Sequence, residues 1–191
     1  MSKKKHIYLP IEIKAREYVS NLLIVNKAIN KNYRCYIGAK SSINRLISYK
    51  KEKNGIFFSK STLTEKEYIN FRDKCEYLTI LDQELGPALT IKEIKMGLSS
   101  RKNLVIPEYI DSYYVISETM RKLVREIYPE IKDKIKLTGW PRIDLWKDFR
   151  HLSSDKSDRI KKKYGKFILF SSDYSFTRKS NIYSFLKYLE G

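Results

Sequence analysis

With 191 residues, 42% of them hydrophobic and 13% aromatic, the chain can build one well-cored domain and the beginning of a second, and it is too apolar to remain disordered. Its 39 Lys and Arg outnumber 22 Asp and Glu to give a net charge of +17, spread along the whole length, which implies attraction to anions without naming them. No zinc-finger spacing or RNP-type aromatic strand accompanies that charge, so no nucleic acid is expected as a partner.

The elements alternate from the N-terminus. Lys5 to Leu9 reads as a strand ended by Pro10, and Ile13 to Asn30 carries Tyr18, Val19, Leu22, Leu23, Val25 and Ile29 at helical spacing. Arg34 to Ile37 is the next strand, stopped by Gly38, with Ser41 as N-cap of a helix holding Ile43, Leu46 and Ile47. Gly55 to Phe58, Glu65 to Lys74 and Tyr77 to Leu81 read as strand, helix, strand. A helix from Leu89 to Met96 follows Gly86-Pro87. Ser112 to Ile116 is a fifth strand, and Ser117 caps a helix with Met120, Leu123, Val124 and Ile127 on one face. Lys134 to Thr138 is a sixth strand, and Gly139 and Pro141 turn it into a helix reaching about Phe149. This order predicts an α/β, Rossmann-like parallel sheet with helices on both faces. The N-terminal domain spans 1–150, and 151–165 is a charged connector or solvated helix. Residues 166–191, with a strand at Phe167 to Ser171 and a helix at Tyr183 to Leu189, begin a C-terminal α/β domain that reads as incomplete.

Ligands of parallel α/β sheets bind beyond the carboxyl ends of the strands, so the loops there hold the candidate residues. After strand one, Glu12, Arg16 and Glu17 cluster at a helix start, where Glu12 and Arg16 also suit an ordinary i, i+4 surface pair. After strand four, Asp82 and Glu84 precede a Gly-Pro turn and could act as a base or nucleophile, or simply as turn acids. After strand five, Ser117 sits at a helix N-terminus, where its hydroxyl could hold a phosphate or simply cap the helix. After strand six, Gly139, Arg142 and Asp144 stand at a strand-to-helix joint whose helix N-terminus favours an anion, or which is simply a well-formed joint with Arg142 and Asp144 solvated. No G-x-G-x-x-G or P-loop lysine follows any strand, which disfavours dinucleotide dehydrogenases and NTPases. Cys35 and Cys75 read as free thiols, and with His6 and His151 they make no metal-ligand spacing, so neither a metal nor a cofactor is expected. No run approaches the roughly 18 apolar residues of a membrane span, and the basic N-terminus leads into a strand instead of a signal peptide. A cytoplasmic location is expected.

Taken together, Leu9-Pro10-Ile11-Glu12 with Arg16-Glu17, Ile37-Gly38, Leu81-Asp82-Gln83-Glu84, Tyr114-Val115-Ile116-Ser117 and Thr138-Gly139-Trp140-Pro141-Arg142-Ile143-Asp144 resemble the bacterial surface carbohydrate biosynthesis proteins. These are related to the CDP-glycerol glycerophosphotransferases and capsule Kdo transferases. The most specific element matches a Gly-x-Pro-Arg-x-Asp signature at the end of the N-terminal domain. The resemblance implies the N-terminal, acceptor-side half of a GT-B architecture. It also implies transfer from a nucleotide-activated sugar or polyol donor to a glycan or lipid-linked acceptor at the inner face of the plasma membrane. It places the acidic loop after strand four in the cleft, with Glu84 favoured as the catalytic carboxylate and Asp82 second, although Asp82-Gln83-Glu84-Leu85-Gly86 departs from the Asp-Glu-Glu-Gly pattern of relatives by a Gln and an inserted Leu. The remaining candidates, Glu12, Arg16, Glu17, Ser117, Gly139, Arg142 and Asp144, would bind substrate. A GT-B enzyme draws much of its donor site from a C-terminal half, so the chain is expected to be a fragment, a truncated product or one part of a split enzyme. Two other readings stay open: a non-enzymatic basic module for acidic glycan, anionic lipid or nucleic acid, and a GT-B-fold sugar-nucleotide epimerase.

Overall fold

The computed structural model describes residues 5–50, 53–83, 90–149, 151 and 154–168. The chain divides into a compact unit of residues 1–149 and a second of residues 150–191.

In the first unit six strands, β1 (His6–Ile11), β2 (Arg34–Ala39), β3 (Ile56–Ser59), β4 (Tyr77–Leu81), β5 (Ser112–Val115) and β6 (Ile135–Leu137), form one sheet in the order β2-β1-β3-β4-β5-β6. Every pairing is parallel. The helices are α1 (Lys14–Ile29), α2 (Lys40–Ser48), α3 (Glu65–Lys74), α4 (Ile91–Ser100), α5 (Glu118–Ile127) and α6 (Pro141–Asp148). This is the α/β, Rossmann-like parallel sheet that the element order predicts.

Side-chain alternation along the strands divides the core between the two faces of the sheet. Tyr8, Phe57, Leu78, Ile80, Tyr113 and Val115 point to one face. There they pack with Ile43 and Ile47 of α2, Tyr68 and Phe71 of α3, Leu98 of α4 and Leu123 and Val124 of α5. The Phe57 and Phe71 rings stack with centroids 3.9 Å apart. Ile7 and Leu9 point the other way and pack beneath Ala28, Ile24 and Val25 of α1, and α6 lies against α1. Helices therefore cover both faces.

Several boundaries differ from the sequence reading for identifiable reasons. β1 runs through Pro10 to Ile11, because the β2 ladder continues to Ile11↔Ala39. The β3 ladder, by contrast, holds only Ile7 and Tyr8. Proline has no N–H to give a ladder, so β1 keeps one neighbour past this point and parts from the other. Gly38 pairs inside β2 and does not stop it. Ser41 does not cap α2: the helix begins at Lys40, Ala39 holds the N-cap position, and no side chain caps it. α4 begins at Ile91, because Thr90 and Glu93 close a reciprocal capping box there. The span Glu65–Lys74 agrees at both ends, closed by a matching box between Thr64 and Glu67. Ser117 caps α5, its hydroxyl accepting the Met120 N–H at 3.2 Å.

In the second unit, α7 (Ser154–Tyr164) occupies most of the predicted connector, and Gly165, at φ +66°, follows its last turn as a left-handed cap. Phe167 and Ile168 are not in a strand. The rest of the expected Phe167 to Ser171 strand and the Tyr183 to Leu189 helix lie outside the described residues.

Two glycines separate conformational strain from steric clash. Gly55 (φ +94°) enters β3 so close to β1 that a Cβ would stand 2.7 Å from the His6 carbonyl oxygen, whereas Gly139 (φ +80°) has open space around it. Gly139→Ala should therefore cost only the left-handed penalty of about 1–2 kcal/mol. Gly55→Ala should add an overpacking cost and lose about 3 kcal/mol or more. Urea denaturation at neutral pH checks the order, and equal losses would contradict it.

Candidate functional site

In strand order 2-1-3 the chain leaves β1 toward β2, then crosses over β1 to reach β3. The carboxyl ends of β1 and β3 thus form the topological switch point at which such sheets open a crevice. Because the β1–β3 ladder stops before Pro10, the crevice lies between the strands, lined by Pro10, Glu12, Lys40, Ser59, Lys60 and Leu63 among others.

A charged network closes its mouth. Glu17, in the first turn of α1, is only 2% exposed. Its Oε2 accepts the Glu12 backbone N–H at 2.8 Å, and its Oε1 accepts from Arg16 Nη2 at 3.2 Å and Lys60 Nζ at 3.3 Å. α1 has no side-chain cap at Ile13, so the Glu17 carboxylate reaches back from within the first turn to the Glu12 N–H in place of one. Lys60, its side chain 11% exposed, also meets Glu12 Oε2 at 2.6 Å, while Lys40 bridges Glu12 Oε1 at 3.5 Å and Glu67 Oε1 at 3.1 Å. Burial acts to raise the Glu17 pKa, but the Glu12 N–H, Lys60 and Arg16 outweigh it and hold the carboxyl below its ordinary value. Glu12 is lowered chiefly by its hydrogen bond with Lys60. Glu67 is lowered as well: burial opposes this, but the Thr64 backbone N–H and Lys40 prevail.

The candidate residues distribute over this frame unevenly. Glu12, Arg16 and Glu17 come together, but not as an i, i+4 pair: Arg16 bonds Glu17, and Glu12 turns to the lysines. Asp82, at the end of β4 and 5% exposed, points toward the face bearing Leu78 and Ile80. There Arg101 Nη1 lies 3.1 and 3.2 Å from its two oxygens, and the Tyr113 hydroxyl donates to Oδ2 at 3.1 Å. Burial pushes the Tyr113 pKa up, and the nearby Asp82 charge adds to the effect. Glu84 lies outside the described residues. Ser117 is engaged in capping α5.

Gln83, one residue after Asp82, meets Arg142 Nη2 at 3.4 Å. The strand-to-helix segment is thereby folded against the loop after β4. Arg142 stacks on Trp140, its Cζ 4.7 Å from the ring centroid, with Pro141 at the first helical position and Gly139 at φ +80° behind it. Asp144 is exposed in the first turn of α6, and among the described residues no ion pair links it to Arg142. Also among the described residues, no group of three His, Cys, Asp or Glu could hold a metal ion, and no helix is long and apolar enough to cross a membrane. Cys35 and Cys75 are free thiols; Cys75 is fully buried and Cys35 half-buried, and burial pushes the Cys75 thiol up to about 12.

Lys40, Lys60, Gln83 and Arg101 escape the sequence reading. Lys60 follows β3 at a carboxyl end, the position the loop rule points to, but its importance depends on β3 lying beside β1. Arg101 carries no motif at all. Comparison with known proteins adds no relative: no family model, no curated protein and no solved structure matches the chain.

A glutamate whose folded pKa is depressed stabilises the fold above its unfolded pKa, and that contribution is lost as pH falls toward the folded value. Stability should therefore decline as pH drops through and below the ordinary glutamate range. Glu17→Gln should cost about 2–4 kcal/mol at pH 7 by leaving Lys60 short of a carboxylate, and should flatten that decline. Urea denaturation at neutral pH and at steps down to below pH 4 measures both, and an unchanged slope in the variant would exclude Glu17 as the titrating group.

Proposed function

We propose that the chain is the acceptor-side half of a transferase of GT-B type, moving a sugar or polyol phosphate from a nucleotide-activated donor onto a glycan or lipid-linked acceptor of the cell surface. The observation that supports this reading is the meeting of Arg142 with Gln83 while α6 packs on α1. Three of the segments that carry the family resemblance thus converge at the carboxyl edge of the sheet, where α/β folds hold their ligands.

In the proposed reaction the acceptor hydroxyl oxygen attacks the donor carbon or phosphorus that bears the leaving phosphate group. That bond breaks, the nucleotide departs with the electron pair, and the hydroxyl proton passes to a carboxylate. Glu84 is the proposed base. Asp82, held between Arg101 and Tyr113, is better suited to fixing the loop than to taking a proton. An acceptor carried on a lipid would bring the protein to the inner face of the membrane as a peripheral partner.

The test follows nucleotide release by the full gene product supplied with a panel of nucleotide-activated sugars and polyols and an acceptor extract. Glu84→Gln should lower turnover by about 100-fold or more. Asp82→Asn should lower it less and should lower stability too. Turnover unchanged in both variants would remove the loop from the mechanism, and no donor-dependent release at all would overturn the transferase reading.

A further inference from the structure

Among the described residues, three buried side-chain polar atoms have no hydrogen-bond partner: Asn44 Oδ1, Trp140 Nε1 and Arg142 Nε. The last two belong to side chains stacked on each other, and both are N–H donors. Leaving such donors dry is unfavourable, and more so for a charged group, so their juxtaposition calls for an acceptor.

The charge points the same way. Arg142 makes one side-chain hydrogen bond, the 3.4 Å contact with the neutral Gln83, and no ion pair among the described residues. Burial lowers its pKa and the neighbouring Arg16 lowers it further, with only Glu17 acting in the opposite sense. Glu17 is already shared by the Glu12 N–H, Lys60 and Arg16. Because α6, which carries Arg142, packs against α1, which carries Arg16, a second guanidinium is held near the first with no ion pair of its own among the described residues, in a fold that pairs Lys40 and Lys60 with carboxylates. Arginine is always charged and offers a planar fork of donors suited to phosphate oxygens.

We propose that Arg142, Arg16 and the Trp140 indole N–H form a notch that binds a phosphate group carrying about two negative charges, as in a pyrophosphate or phosphate ester. Acceptor oxygens of that group would satisfy the two orphaned donors, and its charge would relieve the repulsion between the arginines. The proposal rests on the transferase reading only for the molecule that carries the phosphate; the notch itself would bind inorganic pyrophosphate whether or not the protein is a transferase.

The chain has two tryptophans, and Trp146 is 62% exposed, so Trp146→Phe leaves Trp140 as the sole indole reporter. In that background, titration with pyrophosphate at constant ionic strength should change the Trp140 fluorescence saturably. Arg142→Gln and Arg16→Gln should each weaken binding about tenfold or more, and Arg142→Lys, which keeps the charge and loses the fork, should fall between parent and Arg142→Gln. Thermal melting establishes that each variant is folded; if Arg142→Gln is not, the exposed Arg16 carries the test. No saturable change up to 20 mM pyrophosphate (roughly 2 kcal/mol of affinity) would overturn the proposal. So would undiminished affinity in folded Arg142→Gln and Arg16→Gln, or equal affinity for acetate. Pyrophosphate binding without nucleotide release would leave the notch standing and the transferase reading refuted; release without binding would do the reverse.

Discussion

Glu17 is a carboxylate with almost no contact with water, and donors from three sources converge on it: the Glu12 backbone N–H, the Arg16 guanidinium and the Lys60 ammonium. A buried charge is tolerable only when it is paired and hydrogen-bonded, so this arrangement fixes more than one side chain. It ties the exit of β1 to the first turn of α1 and to the residue that follows β3. These are the two strand ends that diverge at the switch point, and the ion pair spans the gap where the backbone ladder between them has stopped. The crevice stays open in the middle and closed at its mouth because a salt bridge, and not a pair of strands, joins its sides.

The opening itself comes from Pro10. In an internal strand a missing N–H is affordable only where a neighbour has already left, and β1 loses β3 after Tyr8 while keeping β2 as far as Ile11. The loop after β4 is divided by the same alternation that divides the core. Asp82 continues the face of Leu78 and Ile80 and is held inward by Arg101 and Tyr113, while Gln83 takes the opposite direction and meets Arg142. One residue of register therefore separates the side chain that anchors the loop from the one that joins it to α6.

The fold was legible where local chemistry decides it. Glu65–Lys74 is bracketed by a capping box and Tyr77–Leu81 by a turn and a polar strand end, and both stand as read. Boundaries that depend on a neighbouring strand were not. Pro10 looks like a terminator until the β2 ladder is seen to carry β1 past it, and Ser41 looks like a cap although α2 starts one residue earlier without one. The site was legible in half. Glu12, Arg16, Glu17 and Arg142 were identifiable from their places at strand ends, yet their partners were not, since Lys60 meets Glu17 only because β3 lies beside β1, a fact of strand order that no spacing encodes.

A net charge of +17 would draw any anion to the surface, so overall charge cannot select one. At the carboxyl edge of the sheet the balance is nearly struck: Arg16, Lys40, Lys60 and Arg142 stand with Glu12, Glu17 and Glu67, and the lysines and Arg16 are paired. Three carboxylates placed in so basic a protein hold the cations in fixed positions and lower the field that diffuse lysines would otherwise create. Among the described residues of that edge, the charge left over is that of Arg142, stacked on an indole and partly desolvated. Selectivity then lies in geometry, in a planar fork and an indole N–H awaiting acceptors at one place, with the remaining charge steering anions toward the edge without holding them there.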